Sequence, residues 1–263
     1  MFSTCRAPLL AALALGAAFA LPAAGVAQQT RDVDLREALT AGATVEVDDV
    51  NGSIAVERTS GGDVTVHGHA SNGDSDPGPV VRAIKTGNRL VICAVFPGDD
   101  SDQSGTCSRH GHSGPYHHDH LRVDLRVGVP GGAPIVARNV NGSIKATGLD
   151  AAVDATSVSG AIVIATRATA NASTVNGSIQ AHFSGREDAR FNAVNGTIDL
   201  IVPHDADATF RAETLNGAIS ADGIDLSTQN GQFVGHTATA TLGAGHARIS
   251  AHSVNGTIHL ERR

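Results

Sequence analysis

Three observations predict an all-β chain: a right-handed parallel β-solenoid or β-helix with Asn-Gly turn repeats and N-terminal β-hairpin and capping strands. A five-residue phrase recurs at near-regular spacing, the residues around it alternate apolar with polar, and bulky side chains are scarce. Of 263 residues, 41% are hydrophobic but only 3% aromatic, with 30 Gly, one Tyr and no Trp. That hydrophobic fraction supports a packed core and argues against disorder for most of the chain. Its makeup of Ala, Gly and β-branched residues suits a narrow, repetitive core.

The phrase first occurs as Val50-Asn51-Gly52-Ser53-Ile54 and next as Val140-Asn141-Gly142-Ser143-Ile144. Then come Val158-Ser159-Gly160-Ala161-Ile162, Val175-Asn176-Gly177-Ser178-Ile179 and Val194-Asn195-Gly196-Thr197-Ile198. Leu215-Asn216-Gly217-Ala218-Ile219 and Val254-Asn255-Gly256-Thr257-Ile258 complete the set. From Asn141 onward the steps are 18, 17, 19, 21 and 39 residues. A fixed period near 20 residues marks a stacked array. The final step is close to two periods and predicts an eroded copy between Asn216 and Asn255.

Around each phrase the apolar residues fall at every second place, which is strand spacing. Asn-Gly between two strands marks a tight turn, since both residues tolerate positive φ. Gly148, Gly185 and Gly223 fall where the chain must bend back. Each repeat therefore reads as strand, Asn-Gly turn, strand, bend. Two arrangements satisfy this: a solenoid of stacked coils, or an antiparallel array of hairpins. Near-identity of the copies favours the solenoid, because stacking sets Ile on Ile and Asn on Asn, and stacked Asn side chains form amide ladders.

The chain divides into a signal peptide at 1–27, an N-terminal β region at 28–130 with the first repeat, and a β-solenoid repeat region at 131–263. Arg6 supplies the basic start of the signal, Leu9 to Leu21 its apolar segment, and Gly25-Val26-Ala27 the small residues for cleavage. The apolar run is shorter than the ~20 residues of a spanning helix, so no membrane span is expected after cleavage. In the second region, Val80 to Thr86 and Arg89 to Val95 flank Gly87-Asn88 as a hairpin, and Leu121 to Val129 is a further strand. These strands would cover the first coil. At the other end, Glu261, Arg262 and Arg263 would place charge on the last strand and guard its edge.

The formal charge is −7, from 19 Lys plus Arg against 26 Asp plus Glu. An acidic chain without aromatic platforms is not expected to bind nucleic acid. After cleavage two cysteines remain, Cys93 and Cys107, an even count that suggests a disulfide in an exported chain. It would contribute about 3 kcal/mol by loop closure.

The repeated phrases, the exported start and the closing Ser253-Val254-Asn255-Gly256-Thr257-Ile258-His259-Leu260 resemble the putative adhesin family, β-strand-repeat proteins of bacterial envelopes with no assigned function. The resemblance covers roughly 45–260 and is poor at 97–120. It implies a β-solenoid in a periplasmic, cell-surface or secreted setting, and no catalytic residues.

The candidate chemistry is sparse. The loop at 97–120 is rich in Asp and His, and His110, His112, His117, His118 and His120 are the candidates for a metal site. On a loop of Gly, Ser and Asp no rigid element fixes them, so no metal is expected. The turns at Asn51-Gly52, Asn141-Gly142, Asn176-Gly177, Asn195-Gly196, Asn216-Gly217 and Asn255-Gly256 could offer a row of amides to a glycan, but read first as structural. Acids such as Asp150, Asp154, Asp199, Asp205, Asp207, Glu213, Asp222 and Asp225 form no pair at equivalent coil positions, so no enzyme and no cofactor are expected. The expected role is a non-enzymatic structural or interaction module of the cell envelope, with an envelope or surface protein or a glycan as partner. The alternative is a carbohydrate-binding or carbohydrate-processing β-helix.

Overall fold

The computed structural model describes residues 29–72, 80–95, 121–230 and 235–263. Among them there is no helix, and the strands form two sheets. The signal segment, Cys107 and the five candidate histidines at 110–120 lie outside the described residues.

The strands follow from period-two alternation. Ahead of the first repeat runs β1 (Gln29–Ala38). The first repeat is β2 (Thr44–Asn51) and β3 (Ile54–Arg58), followed by β4 (Asp63–Asn72). The expected hairpin is β5 (Val80–Thr86) and β6 (Arg89–Val95), antiparallel with Thr86 opposite Arg89. After it comes β7 (Arg122–Val129). The remaining repeats are β8 (Ile135–Asn141) with β9 (Ile144–Leu149), β10 (Val153–Ser159) with β11 (Ile162–Thr166), and β12 (Ala170–Asn176) with β13 (Ile179–His182). They continue as β14 (Ala189–Asn195) with β15 (Ile198–Val202), and β16 (Ala208–Asn216) with β17 (Ile219–Asp222). Last come β18 (Ser227–Asn230), β19 (His236–Leu242), β20 (Ala247–Asn255) and β21 (Ile258–Arg262).

The strand before each phrase joins one sheet and the strand after it joins the other, so each repeat is one two-sided coil. The first sheet runs β5-β6-β2-β8-β10-β12-β14-β20-β16-β19-β18, and the second runs β1-β4-β7-β3-β9-β11-β13-β15-β21-β17. From β6 to β16 and from β7 to β17 all neighbours are parallel. The stack is therefore of parallel coils, and the hairpin array does not form. At about 4.8 Å per strand the parallel stack extends about 34 Å, and the whole sheets about 45 Å.

Register is set by identical side chains. Ile54, Ile144, Ile162, Ile179, Ile198 and Ile258 lie next to one another on the second sheet, all at most 1% exposed. Facing them, the first sheet contributes mainly Ala and Val, including Ala137, Ala155, Ala172, Ala212 and Ala251. One core runs through the stack, with Phe183, Phe191 and Phe210 its largest buried side chains. Phe183 and Phe191 pack with ring centroids 5.2 Å apart.

Two expectations need correction. No eroded coil lies between Asn216 and Asn255: β18 and β19 run antiparallel there, and β19 covers the outer edge of β16. The last repeat also does not end the stack, since β20 lies between β14 and β16, and β21 between β15 and β17. Glu261, Arg262 and Arg263 therefore guard no edge. The edges fall to the short β17 and β18, four residues each, and to β1 and β5. Short edge strands limit sheet-to-sheet pairing in their own right.

Candidate interaction surface

Seven strands of the first sheet end at one corner, and the repeated phrase builds it. The Asn residues are the last of their strands and stack in register. Asn141 donates to Asn51 at 2.8 Å, Asn195 to Asn176 at 2.9 Å, Asn255 to Asn195 at 2.8 Å and Asn216 to Asn255 at 2.9 Å. Ser159 takes the place between Asn141 and Asn176 and interrupts the ladder.

The turn itself differs from the expectation. In a hairpin, Asn and Gly would both take positive φ. Here no described residue other than Gly does. The Asn stays extended, because the chain passes from one sheet to the other instead of doubling back. Gly52, Gly142, Gly160, Gly196 and Gly217 have φ between 144° and 159°, whereas Gly177 and Gly256 are not positive at all. What all seven share is crowding. A Cβ on Gly142, Gly160, Gly177, Gly196, Gly217 or Gly256 would sit 1.6–2.1 Å from the carbonyl oxygen of the glycine in a neighbouring coil, and one on Gly52 would sit 1.7 Å from the Val123 oxygen. The back bends behave as expected: Gly148, Gly185 and Gly223 have φ of 69°, 63° and 72°.

Behind each Asn, two residues earlier, stands a buried column that the sequence did not announce. Its members are Asp49, Asn139, Ser157, Thr174, Ala193, Ser253 and Thr214. Asn139 donates to the Gly52 carbonyl at 2.7 Å, Ser157 to Gly142 at 3.3 Å and Thr174 to Gly160 at 3.4 Å. Ser253 donates to Gly196 at 3.4 Å and Thr214 to Gly256 at 2.9 Å. A small polar residue two places before Asn was the available signal.

Asp49 is the acid of that column. Burial pushes its carboxyl up to about 7, against the backbone N–H of Val50, and the nearby Asp124 carboxylate pushes the same way. Its Oδ2 is buried without a partner. It takes the place in its coil that the Asn139 amide nitrogen takes in the next, where the equivalent group donates to the crowded carbonyl. Burial also pushes Asp124 upward, but hydrogen bonds from Arg122 and from the side chain and backbone of Ser53 outweigh it and hold it at about 2.

On the outside, one column stands out. Val140, Val158, Val175, Val194 and Leu215 are 39–47% exposed and account for all but one of the exposed large apolar side chains among the described residues. They form a stripe beside the Asn ladder, and the chain leaves and rejoins the stack at the same corner at Val95 and Leu121, around the segment 96–120.

Cys93 is buried in β6 and disulfide-bonded, and the pairing with Cys107 remains an expectation. Asp207 contacts His246 at 2.6 Å and Asp222 contacts His259 at 3.5 Å. Asp150 and Asp205 line a groove of about 570 Å³ along the opposite corner.

Residues 140–261 match the family model described as Toastrack DUF4097. No curated protein matches the chain. Among solved structures, a putative cell adhesion protein from Clostridium sporogenes ATCC 15579 is 12% identical with a TM-score of 0.52, over 90% of this chain and 100% of that one. A putative adhesin from Bacteroides fragilis NCTC 9343 is 10% identical over 89% of this chain and 97% of that one, at a TM-score of 0.28. The first of these likenesses is one of fold, and the second is too loose to bear on it. The repeat region of this chain, residues 140–261, is similar to Toastrack DUF4097 domains.

Proposed function

We propose that the chain is exported and works as a non-enzymatic, adhesin-like interaction module of the cell envelope, its coil stack holding the Asn-Gly corner toward a protein partner. The apolar stripe carries this reading. Five exposed Val and Leu side chains at one phrase position, bordered by a hydrogen-bonded amide ladder, make a linear patch of the kind that marks protein contact. A disulfide at Cys93 supports an oxidising compartment.

Photo-crosslinking in the producing cell tests it. A photoreactive residue at Val175 or Asn195 should give one discrete protein adduct by mass spectrometry. A probe at Gln180, on the outer face of the second sheet, should not. The recovered chain should begin at Gln28. Equal labelling at both positions would remove the corner from consideration.

A further inference from the structure

A second surface lies on the corner opposite the Asn ladder, where the back bends of successive coils stack. Its groove crosses the ends of β3, β9, β11, β13 and β15, and so runs along the stack. Leu149, Phe183 and Pro203 line it, and arginines are spaced along it on different coils. Arg58 is held by Asp150 at 3.2 Å, and Asp150 is in turn fixed by the Gly132 N–H at 2.8 Å. Arg186 is held by Asp205, through both its carboxylate and its carbonyl. Arg167 lies between them in the stack. Its backbone N–H is bonded to Leu149, but its exposed guanidinium has no hydrogen bond or ion pair among the described residues. Thr166, His182 and Ser184 complete the polar lining.

We propose that this groove binds an acidic polysaccharide through the carboxylates of its uronate units, with Arg167 as the principal contact. Three guanidiniums against two carboxylates leave the lining net positive on a chain whose formal charge is −7. A planar guanidinium matches a planar carboxylate with two parallel hydrogen bonds. The paired arginines are already oriented, so they keep donors available at little ordering cost. The groove crosses strand ends and runs along no strand edge. It therefore offers an extended peptide no ladder of main-chain groups, and recognition falls to side chains spaced by the coil repeat.

This inference concerns a different surface from the proposed function and stands or falls separately. The test is calorimetric titration of the full mature chain with a polygalacturonate oligomer, a neutral glucan oligomer of equal length and a poly-glutamate peptide. The uronate should bind, and its affinity should fall with added salt. Arg167→Ala should weaken it about tenfold or more, as expected for one lost charge-assisted contact, without changing Tm. Arg167→Lys should restore only part of the affinity. No uronate binding, equal binding of the neutral glucan or the peptide, or an Arg167→Ala variant that binds like the parent would each overturn the proposal.

Discussion

The glycines of the corner separate two reasons for requiring glycine. One is left-handed backbone, and the other is absence of a side chain where two backbones meet. Gly177 isolates the second, because its φ is not positive while its Cβ would lie 2.0 Å from the Gly160 oxygen. Gly177→Ala should therefore destabilise by about 2–3 kcal/mol through overpacking between coils. Urea unfolding measures this, and a variant within a few tenths of the parent would mean that the coils separate freely. A neighbouring position offers the reverse change. Ala193 occupies the buried column whose other members include the Ser and Thr donors, so it offers the Gly177 carbonyl no hydroxyl. Ala193→Ser should supply it and stabilise by about 1 kcal/mol, seen as a higher urea midpoint. A lower midpoint would show that the hydroxyl is buried without its bond. The Asn and Ile columns were legible in the sequence because identical residues recur at one period. The hydroxyl column was not, because Asp, Asn, Ser, Thr and Ala alternate in it and only the register shows them as equivalents.

At the level of elements, the first coil and the strand beside it carry an opposed pair of acids, Asp49 in β2 and Asp124 in β7. Unfolded, Asp49 would titrate near 3.8, and folded it does so at about 7. Between those values the native state holds the extra proton, so stability is complete below about 4 and falls as pH rises toward 7. Asp124 has the other sign: held at about 2, it contributes above about 4 and loses that contribution as pH falls toward 2. Together they place this coil's optimum near pH 4. Asp49→Asn would put a permanent donor where Asn139 has one in the next coil. The variant should gain on the parent by roughly 3 kcal/mol between pH 5 and pH 8. Parallel stability curves for the two proteins, from denaturant melts at both pH values, would show that Asp49 does not titrate in that range. Among the strands, the β5–β6 hairpin was readable from Gly87-Asn88 and its flanking alternation. The spacing from Asn216 to Asn255 misled, because 39 residues fit two coils as well as one hairpin cap and one coil. Period alone does not distinguish a strand that continues a stack from one that folds back over its edge.

For the whole molecule, parallel coils and their shared core followed from the repeat, but the spatial order of the coils did not. Sequence periodicity assigns each residue to a column and says nothing of which coil is its neighbour. Asn255 could pair with Asn216 on sequence proximity alone, yet it also pairs with Asn195, 60 residues away. The two polar corners are likewise a property of the assembled stack. Arg58, Arg167 and Arg186 share no motif and come together only because their coils superpose.

The placing of the final coil inside the stack fixes how the protein can be made and how it can change. Strands β20 and β21 fill a slot between strands made earlier, β14 and β16 in one sheet and β15 and β17 in the other. A chain emerging from its amino end meets the same demand at β7, which enters between β3 and β4, and from β8 to β15 it adds each strand to an open edge. The β16–β17 coil must then wait, its inner edge open, until β20 and β21 have been made. Nor can this end of the stack be lengthened by duplicating the β20–β21 repeat, because the extra copy would need to enter a space already filled. The position of one strand pair thus sets the moment at which this end of the stack closes.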